Sequence, residues 1–176
     1  MDLNNILANY NRHTQEWLAA LDQYDAQSFI RKPADDEWSI AQVYDHLAAV
    51  TDKCVANVLA CINGKGETGH SGIGPAIFSM VGSFPPVKLK IKKIPAGMDK
   101  VYNPQQIDNA TARKQLEAAL KQMRNVLPEV SMAKKDQRVA HWAGGWFNAK
   151  QWYHSAEMHM KHHFMQKKRI DKLLSK

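Results

Sequence analysis

Apolar positions recur with a helical period in four long stretches of this chain, separated by polar, proline- and glycine-marked connections. Leu3, Ile6, Leu7, Tyr10, Thr14, Trp17, Leu18 and Leu21 follow one another at steps of three and four, which predicts a first helix over residues 3–22. His13 falls beside that stripe and is expected at the surface or boundary. The stretch Asp25 to Glu37, with Pro33 and the acids Asp35, Asp36 and Glu37, reads as a connection pinned by Phe29 and Ile30. A second helix opens at Ser39, a good N-cap, with Trp38 before it placed to staple onto Val43. Its inward stripe is Val43, His46, Leu47, Val50, Cys54, Asn57, Val58 and Cys61, and Asn63-Gly64 is its stop signal.

The pattern then loosens. Lys65 to Gly74 is glycine-rich, Pro75 to Ser83 fits a short helix, and Pro85-Pro86 would end it. Val87 to Ile94 alternates apolar residues with lysine but has no evident partner strand, so it reads as irregular chain or a helical turn. A third long helix is expected from Ile107 to Leu127, with Ala110, Leu116, Ala119, Leu120, Met123 and Leu127 inward and Pro128 at its end. Residues 129–147 form another connection. Asn148 caps the last helix, which runs to Leu174 with Trp152, Ala156, Ile170, Leu173 and Leu174 on its stripe.

Four long helices, no confident strand and no internal repeat predict an all-α fold: a four-helix bundle with a long irregular connection between helices 2 and 3. At 176 residues, 44% of them hydrophobic, the chain (residues 1–176) suits a single domain with a sizeable core. No apolar run approaches the ~20 residues that span a bilayer, and no basic segment leads into an apolar block at the start. Cytoplasmic residence is the expectation. Cys54 and Cys61 stand about 10 Å apart along one helix, too far to pair, and read as reduced buried thiols.

The net charge of +7 raises nucleic-acid binding as a possibility. Much of the excess sits in two clusters, Lys88 to Lys93 and Lys167 to Lys176. The second complements the dipole at a helix C-terminus, and neither accompanies a nucleic-acid motif. A solvated basic face is the simpler account.

Candidate chemistry lies in the last helix. His159 and His163, four residues apart, fall within about 40° of Trp152 and Ile170 on the helical wheel, facing the bundle core. Such a pair can chelate one metal ion, whereas two buried imidazoles without partners would be costly. Buried structural histidines are the rival reading, because the chain holds eight histidines. His46 is the histidine on the inward stripe of the second helix. Two helices packed side by side could bring it to the His159/His163 pair. His154 and His162 point off that axis, and His141 could approach it.

The segment Glu37-Trp38-Ser39-Ile40-Ala41-Gln42-Val43-Tyr44-Asp45-His46-Leu47 resembles the W-S-x-x-x-x-x-x-H-L signature opening the second helix of DinB-like proteins. That superfamily also contains the YfiT-like metal-dependent enzymes. His159-Met-Lys-His162-His163-Phe-Met-Gln166 resembles its late H-x-x-H-H-x-x-Q pattern, and the likeness of helix order and length extends over most of the chain. The resemblance implies a four-helix bundle in which His46, His159 and His163 bind a divalent metal.

Three imidazoles leave an open coordination position and suit zinc or nickel. Asp45, Asn57, Gln166 and His162 are the candidates to orient ligands or substrate around them, although Asp45 lies about 100° from His46 and could face solvent. By the resemblance, the function would be that of a metal-dependent hydrolase, or of an enzyme activating a low-molecular-weight thiol, as in bacillithiol- and mycothiol-dependent S-transferases. The alternative is a non-enzymatic metal- or small-ligand-binding bundle. Expected partners are a small-molecule substrate and a second copy in a homodimer, with neither nucleic acid nor membrane. No catalytic side chain apart from the ligands emerges from the sequence.

Overall fold

The structure, a computed structural model, describes residues 2–64, 66–68, 94, 97–141 and 145–175. Among them the long helices are α1 (Leu3–Leu21), α3 (Ile40–Ile62), α5 (Asn109–Met132) and α6 (Ala149–Leu174). Two short helices, α2 (Ala26–Ile30) and α4 (Asp99–Tyr102), lie in the connections. The expected helix at Pro75 to Ser83 and residues 87–93 fall outside the described residues.

Each of α1 and α3 packs against both α5 and α6, so α1 and α3 face one another across the bundle. Long polar-tipped side chains span that diagonal. Tyr44 donates to the Trp17 carbonyl at 2.6 Å, and the Tyr10 and Thr51 hydroxyls meet at 2.8 Å. Burying such groups without partners would be destabilising, so these bonds help set the depth at which the helices sit. Ile6, Trp17, Phe29, Val58, Leu116, Met123 and Ile170 fill the core around them.

Helix starts follow local chemistry. Ser39 and Asn148 each form a reciprocal capping box, with Gln42 and Gln151 respectively, and Asp2 and Asp108 accept from the first turns of α1 and α5. The bundle is therefore as the helical periodicity predicts, with several corrections. Pro128 does not end α5. The helix continues to Met132 because Val126 and Val130 remain buried on its inner side, although Pro128 cannot donate to the carbonyl one turn earlier. Ala110 is exposed, and the inward position is Ala112, because α5 starts at Asn109 behind the Asp108 cap. Ile30 and Leu173 are exposed, and Phe29 alone of its pair reaches the core.

A small antiparallel sheet is the main addition. Strands β1 (Glu67–Thr68), β2 (Gln137–Ala140) and β3 (Trp146–Asn148) pair in that order, with Arg138 opposite Asn148 and Val139 opposite Phe147. Strands of two to four residues are too short to show an alternating pattern. Cys54 and Cys61 are buried free thiols, as expected.

Candidate metal centre

The second turn of α3 carries His46 into the interface with α6, and α6 returns His159 and His163 from successive turns of one face. Their three Nε2 atoms converge. His46 lies 2.7 Å from His159 and 3.1 Å from His163, and the two α6 nitrogens are 2.9 Å apart. Among the described residues these three form the group able to share one metal ion.

The outer nitrogens fix the tautomers. His46 Nδ1 lies 2.6 Å from the Val101 carbonyl, which can only accept, so the ring proton sits on Nδ1 and Nε2 presents a lone pair. His163 does the same through Nδ1 and the Gln166 amide oxygen at 2.6 Å. Two lone pairs thus point inward at a third imidazole. Neutral donors directed at one another repel unless a proton or a cation lies between them. Tetrahedral zinc with Zn–N bonds of about 2.0–2.1 Å separates its ligand nitrogens by roughly 3.3 Å, so the three Nε2 atoms, now 2.7–3.1 Å apart, need only spread by about 0.2–0.6 Å to hold it. The donor set therefore fits a divalent cation with nitrogen preference.

Burial pushes His46 down to about 4, although the bond to Val101 opposes the shift. Burial, followed by the neighbouring imidazoles, holds His159 and His163 well below the usual histidine range. These shifts favour the neutral imidazole in all three, the state that metal binding requires. His46 and His163 are buried, while His159 retains some exposure, so the approach from solvent lies on its side.

The other sequence candidates separate. Gln166 is in the cluster, bonded to His163. The His162 ring lies 6.2 Å from His159 and 5.1 Å from His163, partly exposed beside the site. Asp45 points away. It accepts from the Gln105 backbone at 2.7 Å and from Gln115 at 3.1 Å, fastening the chain after α4 to the bundle. Asn57 is buried about three turns, or roughly 16 Å, further along α3.

Trp38, Val101 and His141 complete the surroundings, and of these only Val101 had no signal in the sequence. The Trp38 ring lies 4.9 Å from that of His46. Val101, on α4, supplies its carbonyl because residues 101–106 run along the start of α3. Gln42 donates to the Pro104 carbonyl at 3.0 Å, and Ser39 donates to Gln106 at 2.8 Å. No residue-type signal marks a backbone carbonyl as a partner. His141 stacks on Phe147 at 4.5 Å, with Trp152 at 5.0 Å, near enough for its charge to weigh on His159.

His13, expected near the surface, is buried. It bonds Glu157 at 3.2 Å, and His154 approaches the other carboxylate oxygen at 3.3 Å. Burial raises the Glu157 carboxyl, but its bonds to the two imidazoles prevail and hold it at about 2. Glu157 thus gives the buried His13 ring a polar partner, and Phe164 packs beside it.

The family profile of the DinB superfamily matches residues 9–166, from the middle of α1 to Gln166. The chain belongs to the DinB superfamily. Its DinB fold is also similar to the crystal structure of a mycothiol-dependent maleylpyruvate isomerase, with a TM-score of 0.59 at 11% identity. That likeness covers 91% of this chain and 58% of the isomerase, and at such identity it shows the fold alone. No curated protein sequence matches this DinB chain.

Proposed function

We propose that this protein is a metal-dependent enzyme that binds a divalent ion, zinc or nickel, through His46, His159 and His163. The carrying observation is the convergence of three Nε2 atoms within 3.1 Å while Val101 and Gln166 hold the outer protons of two of the rings. Neutral imidazole suits both metals. With three protein ligands, a bound ion would keep a position at which a water or a low-molecular-weight thiol could be activated at neutral pH.

The chain's own residues confine the reaction. Val101 and Gln166 keep two lone pairs aimed at one point, and Trp38 covers one side of His46. Cys54 and Cys61 are pushed up by burial to about 12 and about 11, so neither supplies a ready thiolate. A thiol reaction would therefore use a small external thiol. The isomerase of similar fold is mycothiol-dependent, which supports thiol S-transfer as the first activity to screen and hydrolysis as the second.

Metal analysis of untagged protein tests the reading, beside His46→Ala and His163→Ala. About one metal per chain, lost in both variants, is the expected result. Metal-free protein that takes up neither zinc nor nickel would refute it. A non-enzymatic metal- or small-ligand-binding bundle is the second reading, because a shared fold does not by itself carry activity. Tight metal binding without turnover on thiol and ester panels would select it. A cytoplasmic homodimer is the setting we propose, testable by light scattering. No helix among the described residues is long and apolar enough to cross a membrane.

A further inference from the structure

We propose that the Glu37–Arg169 ion pair is a positioning clamp: it holds the segment entering α3 so that the Trp38 ring keeps His46 in its ligating orientation. The inference rests on the metal reading above.

The pair is a two-pronged fork, with Nη1 of Arg169 2.8 Å from one carboxylate oxygen of Glu37 and Nη2 2.7 Å from the other. Such a fork fixes direction as well as distance, which a single-point lysine contact does not. The Glu37 side chain is 12% exposed, so its carboxylate is largely withdrawn from solvent competition. Each end of the clamp leads to a different metal-site helix. Glu37 immediately precedes Trp38, whose ring packs against His46. Arg169 lies one turn beyond Gln166, which holds His163. The ion pair thus links the partners of His46 and His163 across the two helices.

His46 needs such a constraint. Its bond to Val101 sets the tautomer but leaves the ring able to pivot about that contact. The rings of His159 and His163 stand 4.9 Å and 4.7 Å away, and Trp38 adds a further wall at 4.9 Å. Two more bonds tie the α1–α3 connection to α6, from Tyr24 to Asp171 and from Arg31 to the Leu174 carbonyl, both at 2.6 Å. They lie closer to the helix end. Glu37–Arg169 acts nearest to the site.

The test is titration of the full chain with cobalt(II), reading affinity by chelator competition and coordination by visible absorption. Wild type is compared with Glu37→Gln, Arg169→Met, the reversed pair Glu37→Arg/Arg169→Glu, and Trp38→Ala. Each single variant is expected to bind about tenfold more weakly, with an altered absorption band, at unchanged helical circular dichroism. The reversed pair restores both readouts. Trp38→Ala reproduces the loss with the ion pair intact, and it carries the test if an ion-pair variant folds poorly. Wild-type affinity and spectrum in the single variants overturn the clamp, as does a wild-type response from Trp38→Ala. A wild type that takes up no cobalt instead overturns the metal reading itself.

Discussion

The imidazole of His46 donates from Nδ1 to the carbonyl of Val101 at 2.6 Å, joining a helix of the bundle to the connection that follows it. Asp45, one residue earlier, accepts from the Gln105 backbone and holds the same stretch of chain. The two neighbours thus divide the work: one ring faces the site, and one carboxylate secures the carbonyl that orients it. Gln166→Ala, which strips His163 of its acceptor, is expected to weaken metal binding about 10–100-fold. Asp45→Ala acts one step further out and should cost less than tenfold. Competition against a chelating dye measures both. Equal losses would mean that Asp45 touches the site more directly than its bonds indicate.

Metal-free protein should lose stability as the pH falls below neutrality. The folded state depresses His46 and His141 to about 4, while the unfolded chain keeps them near 6.5. Between those values the unfolded chain binds more protons, so stability rises with pH. The contribution is fully present above about 6.5 and falls away towards 4. Each histidine accounts for roughly 2 kcal/mol between pH 7 and pH 5. Urea midpoints at the two pH values provide the measurement, and equal midpoints would contradict the burial argument.

Glu157→Ala should destabilise the fold while leaving the three ligands in place. The variant removes the carboxylate that His13 and His154 share, leaving His13 only Glu16 at 3.5 Å. Removing the acceptor of buried polar groups costs about 1–3 kcal/mol, a fall of roughly 2–12 °C in melting temperature for a chain of this size. Calorimetry reads that fall. Metal stoichiometry near one would confirm that the two histidine clusters are separable.

Both cysteines should resist a thiol reagent in the native state and react together in denaturant. Burial both blocks access to Cys54 and Cys61 and suppresses their ionisation. Rapid native labelling of either one would reopen the question of an internal nucleophile.

The convergence of His46, His159 and His163 was legible because all three occupy inward positions of strongly periodic helices, and helix faces can be read from spacing alone. Gln166 was legible for the same reason, one turn from His163. His13 was misplaced because its interior partner, Glu157, is distant in sequence and no local pattern reveals the contact. Pro128 misled because its local preference for ending a helix yields to the burial of Val126 and Val130. Trp38 was read as a helix staple, and its contact with His46 appears only when the ring is placed. Val101 could not be found at all, since its contribution is a carbonyl common to every residue.

His46 and His163 are separated by 117 positions, with most of the chain between them. The three nitrogens cannot assemble until the first half of the protein and its last helix have met. During synthesis His159 and His163 emerge 113 and 117 positions after His46, so a chain stalled between them would carry His46 without its partners. An ion held there would also tie together a very long loop, removing most from the freedom of the unfolded chain. Metal uptake would then serve as a certificate of completed folding as well as a prerequisite for chemistry.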